Sequence, residues 1–361
     1  MTLEKDALLY AWRREKMSRK RNISIQRRVA KPNTYQFWRS LALFSIVSLL
    51  AACSPPSLEN KMLGDIRPPI VRDAKLKNAG EFEIEFDETV CVGREAFSAE
   101  PKRVAVCAES SGEKVCISLL PQPFPGEKVI LAGTVEDICG NSTHVQVQFK
   151  GYNDKPARII LTEVQTAKNT SKKAPHRDYI EFIVQKGGNL GGMFVQWASS
   201  AKIMKYDFMP CEVRADEIIV LHLAPEGILE EKDETGEDTA LSGGIDANAK
   251  GRDFWSEAGG LPDSSGAISV YEREGSLPID GFFYGEGSKS GSLESSKLIS
   301  IVQELSDAGV WSSDSPPKWE NAFLWKPSAS RPFIRTSISE SGVSAWKVGE
   351  SGSQTPGSFS R

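Results

Sequence analysis

Alternation of apolar and polar residues is the main pattern along the chain, and it is typical of β-strands that bury one face. In segment 81–87, Phe82, Ile84 and Phe86 alternate with acidic residues. Further short apolar runs, separated by turn residues, follow at 104–106, 115–117, 129–131 and 145–149. About seven short strands in so short a stretch indicate a β-sandwich domain over residues 67–152.

A second β-rich region follows a polar junction near residues 153–156. Its apolar runs predict strands at 158–164, 178–184, 189–195, 268–270 and 282–284. We therefore expect an all-β fold with two β-sandwich domains in tandem. The second domain would extend over residues 155–361.

One segment of the second region has helical periodicity. Leu298, Ile301, Val302 and Leu305 recur at i, i+3, i+4 and i+7, which places them on one face of a helix. Serine residues precede this pattern and Gly309 follows it, as is common at helix ends. We expect one helix within residues 292–309, lying across the end of a sheet.

The stretch 225–266 fits neither pattern. Residues 226–238 are rich in Asp and Glu, and Gly and Ser interrupt the residues that follow. Such a composition buries little apolar surface, so we expect a long acidic insertion that is exposed to solvent.

A further apolar run precedes both regions. Residues 41–52 are uncharged and mostly apolar, and residues 1–40 carry eleven Lys and Arg against three Asp and Glu. The run is too short to span a bilayer, which takes about 20 apolar residues. A basic segment followed by a short apolar run and small residues predicts a signal peptide over residues 1–52. Its start could be Met1 or Met17.

The end of this run, Leu50-Ala51-Ala52-Cys53, resembles the lipobox of bacterial lipoproteins. The resemblance implies that a diacylglycerol is attached to the Cys53 sulfur, that the chain is cut before Cys53, and that the new amino group is acylated. Two or more acyl chains give stable anchoring, since each buried methylene contributes only about 0.8 kcal/mol. A lipid bilayer is thus an expected partner, with residues 53–66 as a tether. The alternatives are an ordinary cleaved signal peptide and a chance apolar run.

The charge of the chain limits its other partners. The formal net charge is −4, and it becomes −12 when the basic residues 1–40 are set aside. Nucleic acids and anionic lipid surfaces repel such an acidic body. We therefore expect no nucleic-acid partner.

Six cysteines are present. Cys107 and Cys116 flank a hairpin-like stretch, and a turn centred on residues 111–112 would place them directly opposite each other. A disulfide between them is one expectation, because an exported chain can form disulfides. Cys91 and Cys139 would then form the second pair. Four buried free thiols are the alternative.

Two segments of the first region carry a family resemblance. The strand Phe82–Phe86 and the turn Ala132–Asn141, with its Gly-x-Val-x-Asp-x-x-Gly-Asn order, resemble bacterial Ig-like domains of envelope proteins. Asp, Gly and Asn suit a tight turn because they bond the local backbone or tolerate positive φ. The resemblance implies a fold and no particular reaction.

Several segments of the second region occur in a recognisable order: Arg158–Val164, Asp178–Val184, Asn189–Val195, Arg335, Trp346 and Thr355–Gly357. This order resembles the lamin-tail domain, a small Ig-like sandwich. Ile183-Val184 replaces the usual Tyr-Asn of that family, and Met193 replaces a turn Trp. The two resemblances together imply two Ig-like β-sandwich domains in tandem, the second with one helix and the acidic insertion.

No catalytic motif is present. The chain has three histidines, His144, His176 and His222, and none belongs to an H-x-x-x-H pair. No C-x-x-C pair exists either, so we expect no metal and no cofactor. His176 lies near Asp178 and Glu181, where it could act in an acid–base cluster or be an ordinary surface histidine.

These patterns favour a membrane-anchored cell-envelope lipoprotein that is not an enzyme. Its first domain would be a spacer, and its second would bind a protein, glycan or cell-wall partner. Trp311, Trp319 and Trp325 are candidate binding residues, and core packing is their alternative role. The alternative function is a secreted hydrolase or nuclease-associated protein with an unrecognised metal-dependent site, because lamin-tail domains often accompany such enzymes.

Overall fold

The computed structural model describes residues 65–167, 176–223 and 225–359. The predicted signal peptide, Cys53 and most of the tether lie outside these ranges. No helix within the described ranges has the length and apolar character needed to cross a membrane. Strands dominate the described residues, which confirms the predicted all-β, sandwich-like fold with one α-helix.

The described residues form two compact units. The first unit comprises residues 65–122 and 129–149. The second unit comprises residues 123–128 and 150–359. Each unit has a hydrophobic core of its own.

Eight short strands build the first unit. One sheet has the order β1-β2-β6-β5, and another has the order β3-β7-β4, with β8 also paired to β7. The strands are β1 (Val71–Asn78), β2 (Glu81–Phe86), β3 (Val90–Cys91), β4 (Phe97–Glu100), β5 (Ala105–Ser111), β6 (Lys114–Leu120), β7 (Lys128–Asp137) and β8 (Ser142–Lys150).

Strand β2 shows how the alternating pattern forms the core of the first unit. Phe82, Ile84 and Phe86 are at most 2% exposed and pack in the centre of this core. Glu83 points to the other face, yet it is also buried, because three lysines lie within 3.5 Å of its carboxylate. These are Lys75, Lys77 and Lys114.

The second unit contains the remaining strands of the described chain. They are β9 (Arg158–Gln165), β10 (Tyr179–Lys186), β11 (Gly188–Asn189), β12 (Phe194–Ala198), β13 (Ile203–Asp207), β14 (Glu212–Val213), β15 (Ile218–His222), β16 (Arg252–Trp255), β17 (Gly266–Tyr271), β18 (Pro278–Glu286), β19 (Phe323–Trp325), β20 (Phe333–Arg335) and β21 (Trp346–Val348). A six-stranded sheet has the order β16-β15-β10-β9-β20-β21, and a five-stranded sheet has the order β13-β12-β17-β18-β19. Strands β11 and β14 form a separate pair.

The two large sheets of the second unit pack face to face. Phe282 of β18 contacts Phe333 and Trp346 of the six-stranded sheet, with ring centroids 4.9 and 4.3 Å apart. On the other face of the five-stranded sheet, Gly281 lies against Leu305 of the helix, and an added Cβ would come within 2.2 Å of that side chain. The five-stranded sheet therefore lies between the six-stranded sheet and the helix.

Helix α1 (Ser296–Asp307) forms where the periodicity predicts it. Leu298, Ile301, Val302 and Leu305 are its buried residues. The Ser295 hydroxyl accepts a hydrogen bond from the Leu298 backbone N–H, which caps the start of the helix. Gly309 follows the end with a φ of 72°, a conformation that favours glycine.

A buried ion pair joins the two large sheets. Asp280 of β18 and Arg335 of β20 are 3% and 4% exposed, and Asp280 Oδ2 lies 2.7 Å from the guanidinium. The same oxygen accepts the Leu161 N–H of β9 at 2.8 Å. Arg335 also donates to the backbone carbonyls of Ser337 and Glu340 and lies over the Trp346 ring. A charge buried in this way is stabilised only while its partners remain.

The acidic insertion is more ordered than its composition predicts. Its last part forms β16, which pairs in parallel with β15 and extends the six-stranded sheet. Glu234 is fully buried and accepts the backbone N–H groups of Ser242 and Asp253. The expectation of a fully solvent-exposed insertion is therefore wrong at this position, because a carboxylate that receives backbone donors can be buried.

Candidate functional sites: a polar groove and a buried carboxylate cluster

Two irregularities in the pairing of β9 with β10 shape both polar sites of the second unit. The register passes from Glu181↔Glu163 to Phe182↔Leu161, so Thr162 is an extra residue on β9. It also passes from Val184↔Ile159 to Lys186↔Arg158, so one extra residue lies on β10. Such β-bulges redirect side chains and are frequent beside functional sites.

The first bulge gathers buried oxygen atoms on the face of the six-stranded sheet that points away from the five-stranded sheet. Glu163 and Glu181 are directly opposite each other, and they are 2% and 0% exposed. The Thr162 hydroxyl donates to Glu181 Oε1 at 2.6 Å, and the Tyr179 hydroxyl donates to Glu163 Oε1. We call these four residues the carboxylate cluster.

The C-terminal segment 354–358 covers this cluster and supplies most of its remaining donors. Glu163 accepts the Thr355 N–H at 3.1 Å and the Thr355 hydroxyl at 2.8 Å. Glu181 Oε2 accepts the Gly357 N–H at 2.9 Å and the Ser358 N–H at 3.3 Å. The segment is therefore fastened to the sheet through two buried side chains.

Burial changes the acidity of the carboxylate cluster. Loss of hydration raises the pKa of Glu181 to about 8, and the neighbouring Glu163 carboxylate adds to the rise. Burial also raises the pKa of Glu163, against the hydrogen bonds from Tyr179 and Thr355. The pKa of Tyr179 lies well above its ordinary value because the hydroxyl is buried beside these carboxylates.

Two histidine–aspartate pairs lie in the same unit. His176 Nδ1 is 2.7 Å from Asp246 Oδ1, so the structure pairs His176 with Asp246. His222 Nε2 is 2.8 Å from Asp253 Oδ1, and both side chains are buried. Over the described ranges, no cluster of three or more His, Cys, Asp and Glu side chains is arranged to hold a metal ion.

A surface groove of about 720 Å³ opens at the second bulge. Its volume is in the range of small-molecule sites, roughly 300–1,000 Å³. The groove is formed by the junction that leads into β9, the end of β10, and the β17–β18 hairpin. Its lining residues are Asp154, Lys155, Pro156, Ala157, Arg158, Lys186, Gly187, Gly188, Glu212, Glu272 and Ile279.

Hydrogen bonds hold one wall of the groove in place. The Asn189 side chain donates to Glu212 Oε1 at 2.8 Å and accepts the Gly191 N–H at 2.7 Å. The Asn153 amide donates to the Asn189 and Gly191 carbonyls, each at 2.8 Å. Position 188 requires a glycine because the backbone at Lys155 passes close to it. An added Cβ would lie 2.4 Å from the Lys155 carbonyl oxygen. The backbone of the groove is therefore tightly fixed.

The sequence did not predict the basic residues of this groove. Lys155 and Arg158 are three residues apart in the sequence, whereas Lys186 is distant from both, and only the fold brings it beside them. The pair at 155 and 158 was a weak signal, since both flank the junction that the sequence predicts at 153–156. Nothing in the sequence places Lys186 opposite Arg158.

The tryptophans predicted as candidate binding residues are mostly structural. Trp311 and Trp325 are 1% and 5% exposed, and their indole N–H groups donate to backbone carbonyls. Trp319 is partly buried, packs against Phe283, and lies beneath the Lys289 ammonium at 4.8 Å. Core packing, the alternative role, is therefore confirmed for Trp311 and Trp325.

The cysteines differ from the predicted arrangement. Cys91, Cys107, Cys116 and Cys139 are all free thiols. Cys107 pairs with Ser118 and Cys116 pairs with Glu109, so the predicted direct opposition of Cys107 and Cys116 is wrong. Diagonal neighbours on adjacent strands lie farther apart than a disulfide allows.

The turn explains this difference in register. Ser111 pairs with Lys114, so the turn consists of Gly112 and Glu113. Gly112 has a φ of 62°, and glycine at the first position of a two-residue turn is typical of type II′. The turn therefore centres one residue later than predicted.

We expect thiol reactivity to follow burial. Brief alkylation of the folded protein at pH 8 should modify the exposed Cys91 and Cys139. Cys211 is 2% exposed and its pKa is raised by burial to about 11, so it should react at least about 100-fold more slowly. Peptide mass spectrometry would quantify each site, with the urea-unfolded protein as control. Equal rates for Cys211 and Cys91 would contradict this assignment.

Fold and site together define an all-β, sandwich-like protein with a polar groove on its second unit. The family model TP_1001_2nd, described as "protein second domain", matches residues 157–348, which is just over half of the chain. The chain therefore belongs to this family. The match begins at Ala157 on the groove and ends with β21.

One relative of this chain is a Treponema pallidum (strain Nichols) protein described as uncharacterized. It is 28% identical over 158 residues. These residues are 43% of this chain and 39% of the relative, so the chain spans well under two thirds of the relative's length.

Proposed function

We propose that this protein is a lipid-anchored lipoprotein of the bacterial cell envelope, acting as a non-catalytic binding module. Cys53 would carry the lipid and hold the chain at a membrane, facing the periplasm or the cell surface. The groove of the second unit would bind a protein, glycan or cell-wall partner. The groove carries this proposal, because it is large, polar and built on a fixed backbone.

The second unit also supports the proposed lamin-tail-like character. The residues that carry that resemblance are far apart in the sequence, yet they meet in the fold. Thr355 binds Glu163, Gly357 binds Glu181, and Arg335 lies over Trp346. Residues that match a family by chance would have no reason to contact one another. These contacts therefore support the proposal that the second unit shares the lamin-tail fold. The first unit, an Ig-like spacer in this proposal, would hold the groove away from the membrane.

The competing hypothesis is a metal-dependent hydrolase. Its acidic residues would have to offer free oxygen lone pairs to a metal or a water molecule. Glu163 of β9 and Glu181 of β10, both buried, instead accept hydrogen bonds from the protein's own segment 355–358. Because these hydrogen bonds occupy the carboxylate oxygens, they favour a structural role for the carboxylate cluster. The groove is then the better candidate for a binding site.

The lipid anchor can be tested by replacing one thiol. Cys53→Ala should move the protein from the membrane pellet to the supernatant, because it loses the acyl chains that bury in the bilayer. Cys91→Ala is the matched control, since Cys91 is an exposed thiol of the first unit. Fractionation followed by immunoblotting would measure both variants. If Cys53→Ala sediments like the unchanged protein, the anchor is wrong.

The binding role can be tested by filling the groove. Ile279 is partly buried in its lining, and Ile279→Trp would occupy part of the cavity. Thermal-shift screening of the full chain against cell-wall glycan fragments and short peptides should find ligands that the variant no longer binds. Ligands bound equally well by the filled variant would place binding elsewhere and contradict the groove.

A further inference from the structure

Two positive charges face each other at the groove, and neither forms an ion pair with any residue that the structure describes. Arg158 and Lys186 are directly opposite in the register of β9 and β10. Lys155 lines the same cavity. Within the described ranges, the side chains of these three residues form no ion pair and no hydrogen bond. Like charges directly opposite across two strands destabilise a sheet.

The carboxylates of the groove do not resolve this conflict. Glu212 accepts a hydrogen bond from Asn189, and Glu272 lies 3.9 Å from Arg273. Asp154 lies in the exposed junction and pairs with none of the three cations. Two of the three acidic side chains are thus engaged with partners outside the cation set.

The second bulge makes the arrangement specific. It lies between Val184 and Lys186, so it immediately precedes the lysine that faces Arg158. The groove wall beside it is fixed by the Asn153–Asn189 hydrogen bonds and by the close approach at Gly188. A local feature that opposes stability, held on a rigid backbone beside a cavity, is expected at a functional site.

We propose that this groove binds an oxyanion, a carboxylate or phosphate group carried by the ligand. Arg158 would contact two of its oxygens through the planar guanidinium, and Lys186 and Lys155 would supply point charges. The inference rests on the proposed binding function and names the chemistry of its ligand. The bound anion would also relieve the repulsion between Arg158 and Lys186.

The experiment uses the full chain at low ionic strength, where such contacts are least screened. The probes are inorganic phosphate, an end-blocked tetraglutamate peptide and, as the neutral control, tetraglutamine. Calorimetric titration should detect phosphate or tetraglutamate and not tetraglutamine. Phosphate binding alone would assign the site to phosphorylated ligands, and tetraglutamate binding alone would assign it to carboxylates.

Substitutions at Arg158 and Lys186 test whether these two residues bind the anion. Arg158→Gln and Lys186→Gln should each weaken binding of the positive probe at least about tenfold, because each removes a charge-assisted contact. Lys347→Gln is the matched control, an exposed lysine of β21 in the same sheet, and should leave binding unchanged. Undiminished binding in the two groove variants would overturn the proposal.

Urea unfolding in the absence of any ligand provides a second test of the repulsion between Arg158 and Lys186. Without added anion, Arg158→Gln and Lys186→Gln should raise the urea midpoint of unfolding, since each removes a repulsive pair. A lower midpoint would show that these cations are held by stabilising contacts, and would overturn the proposal. If neither anionic probe binds but Ile279→Trp still abolishes binding of a neutral ligand, the oxyanion assignment fails while the proposed binding function stands.

Discussion

Asp280→Ala is expected to lower the free energy of unfolding by about 3–5 kcal/mol, which would unfold a marginal domain. The substitution leaves the Arg335 guanidinium buried without its carboxylate, which lies 2.7 Å away in the intact protein. It also leaves the Leu161 N–H without an acceptor. Because Asp280 connects the five-stranded sheet to β9 and β20, the loss would reach the packing between the two sheets.

Urea unfolding followed by tryptophan fluorescence would measure this loss, since five tryptophans lie in the second-unit core or pack against it. Asp314→Ala provides the comparison. Asp314 lies 3.3 Å from Lys318 and its side chain is 52% exposed, so removing this surface pair should change stability by no more than about 1 kcal/mol. A similar loss in both variants would contradict the role assigned to burial.

The free energy of unfolding is also expected to fall as the pH rises from about 5 to about 8. The folded pKa of Glu181 is about 8, whereas an unfolded glutamate titrates near its ordinary value of about 4.3. Between these values the folded state holds a proton that the unfolded state releases, so stability declines with pH. The contribution is fully present below the unfolded pKa and lost as the pH passes the folded pKa. Its full size is on the order of 5 kcal/mol, at about 1.4 kcal/mol per pKa unit.

Glu181→Gln should flatten this pH dependence, because an amide does not titrate and still offers a carbonyl oxygen to the Gly357 N–H. Urea midpoints at pH 5, 7 and 9 would measure the slope. Glu257→Gln, at an exposed position of the same unit, should keep the slope of the unchanged protein. A variant Glu181→Gln with an undiminished slope would assign the titration to another group, Glu163 being the first candidate.

The elements that follow from a clear periodicity were predictable. Strand β2 follows from the alternation of Phe82, Ile84 and Phe86, and helix α1 follows from the spacing of its four apolar residues. In these segments the apolar residues of the local pattern are the ones that the fold buries, so the sequence alone is enough to predict the element. The sequence also has Arg335, Trp346 and Thr355 in the order that resembles the end of a lamin-tail domain. It does not show which residues these three contact in the fold.

Features that depend on register were not predictable. The position of the turn at Gly112 decides which residues face Cys107, and a shift of one residue at the turn displaces the pairing by two. The burial of Glu234 depends on backbone donors from residues 242 and 253, which composition does not show. The groove depends on Lys186 facing Arg158, and no property of either residue alone indicates this.

The extra residue on β9 has a consequence for changes in chain length. Ile159, Leu161 and Val164 face the core, so the inward positions are two residues apart before Thr162 and three apart across it. Deleting Thr162 would close the ladder into strict alternation and leave every remaining side chain on its present side. Inserting one residue into this strand would instead move half of its side chains to the opposite face of the sheet. Deleting one residue should therefore be better tolerated than inserting one. Thr162 is needed for the hydroxyl it offers to Glu181, and the fold itself could do without it.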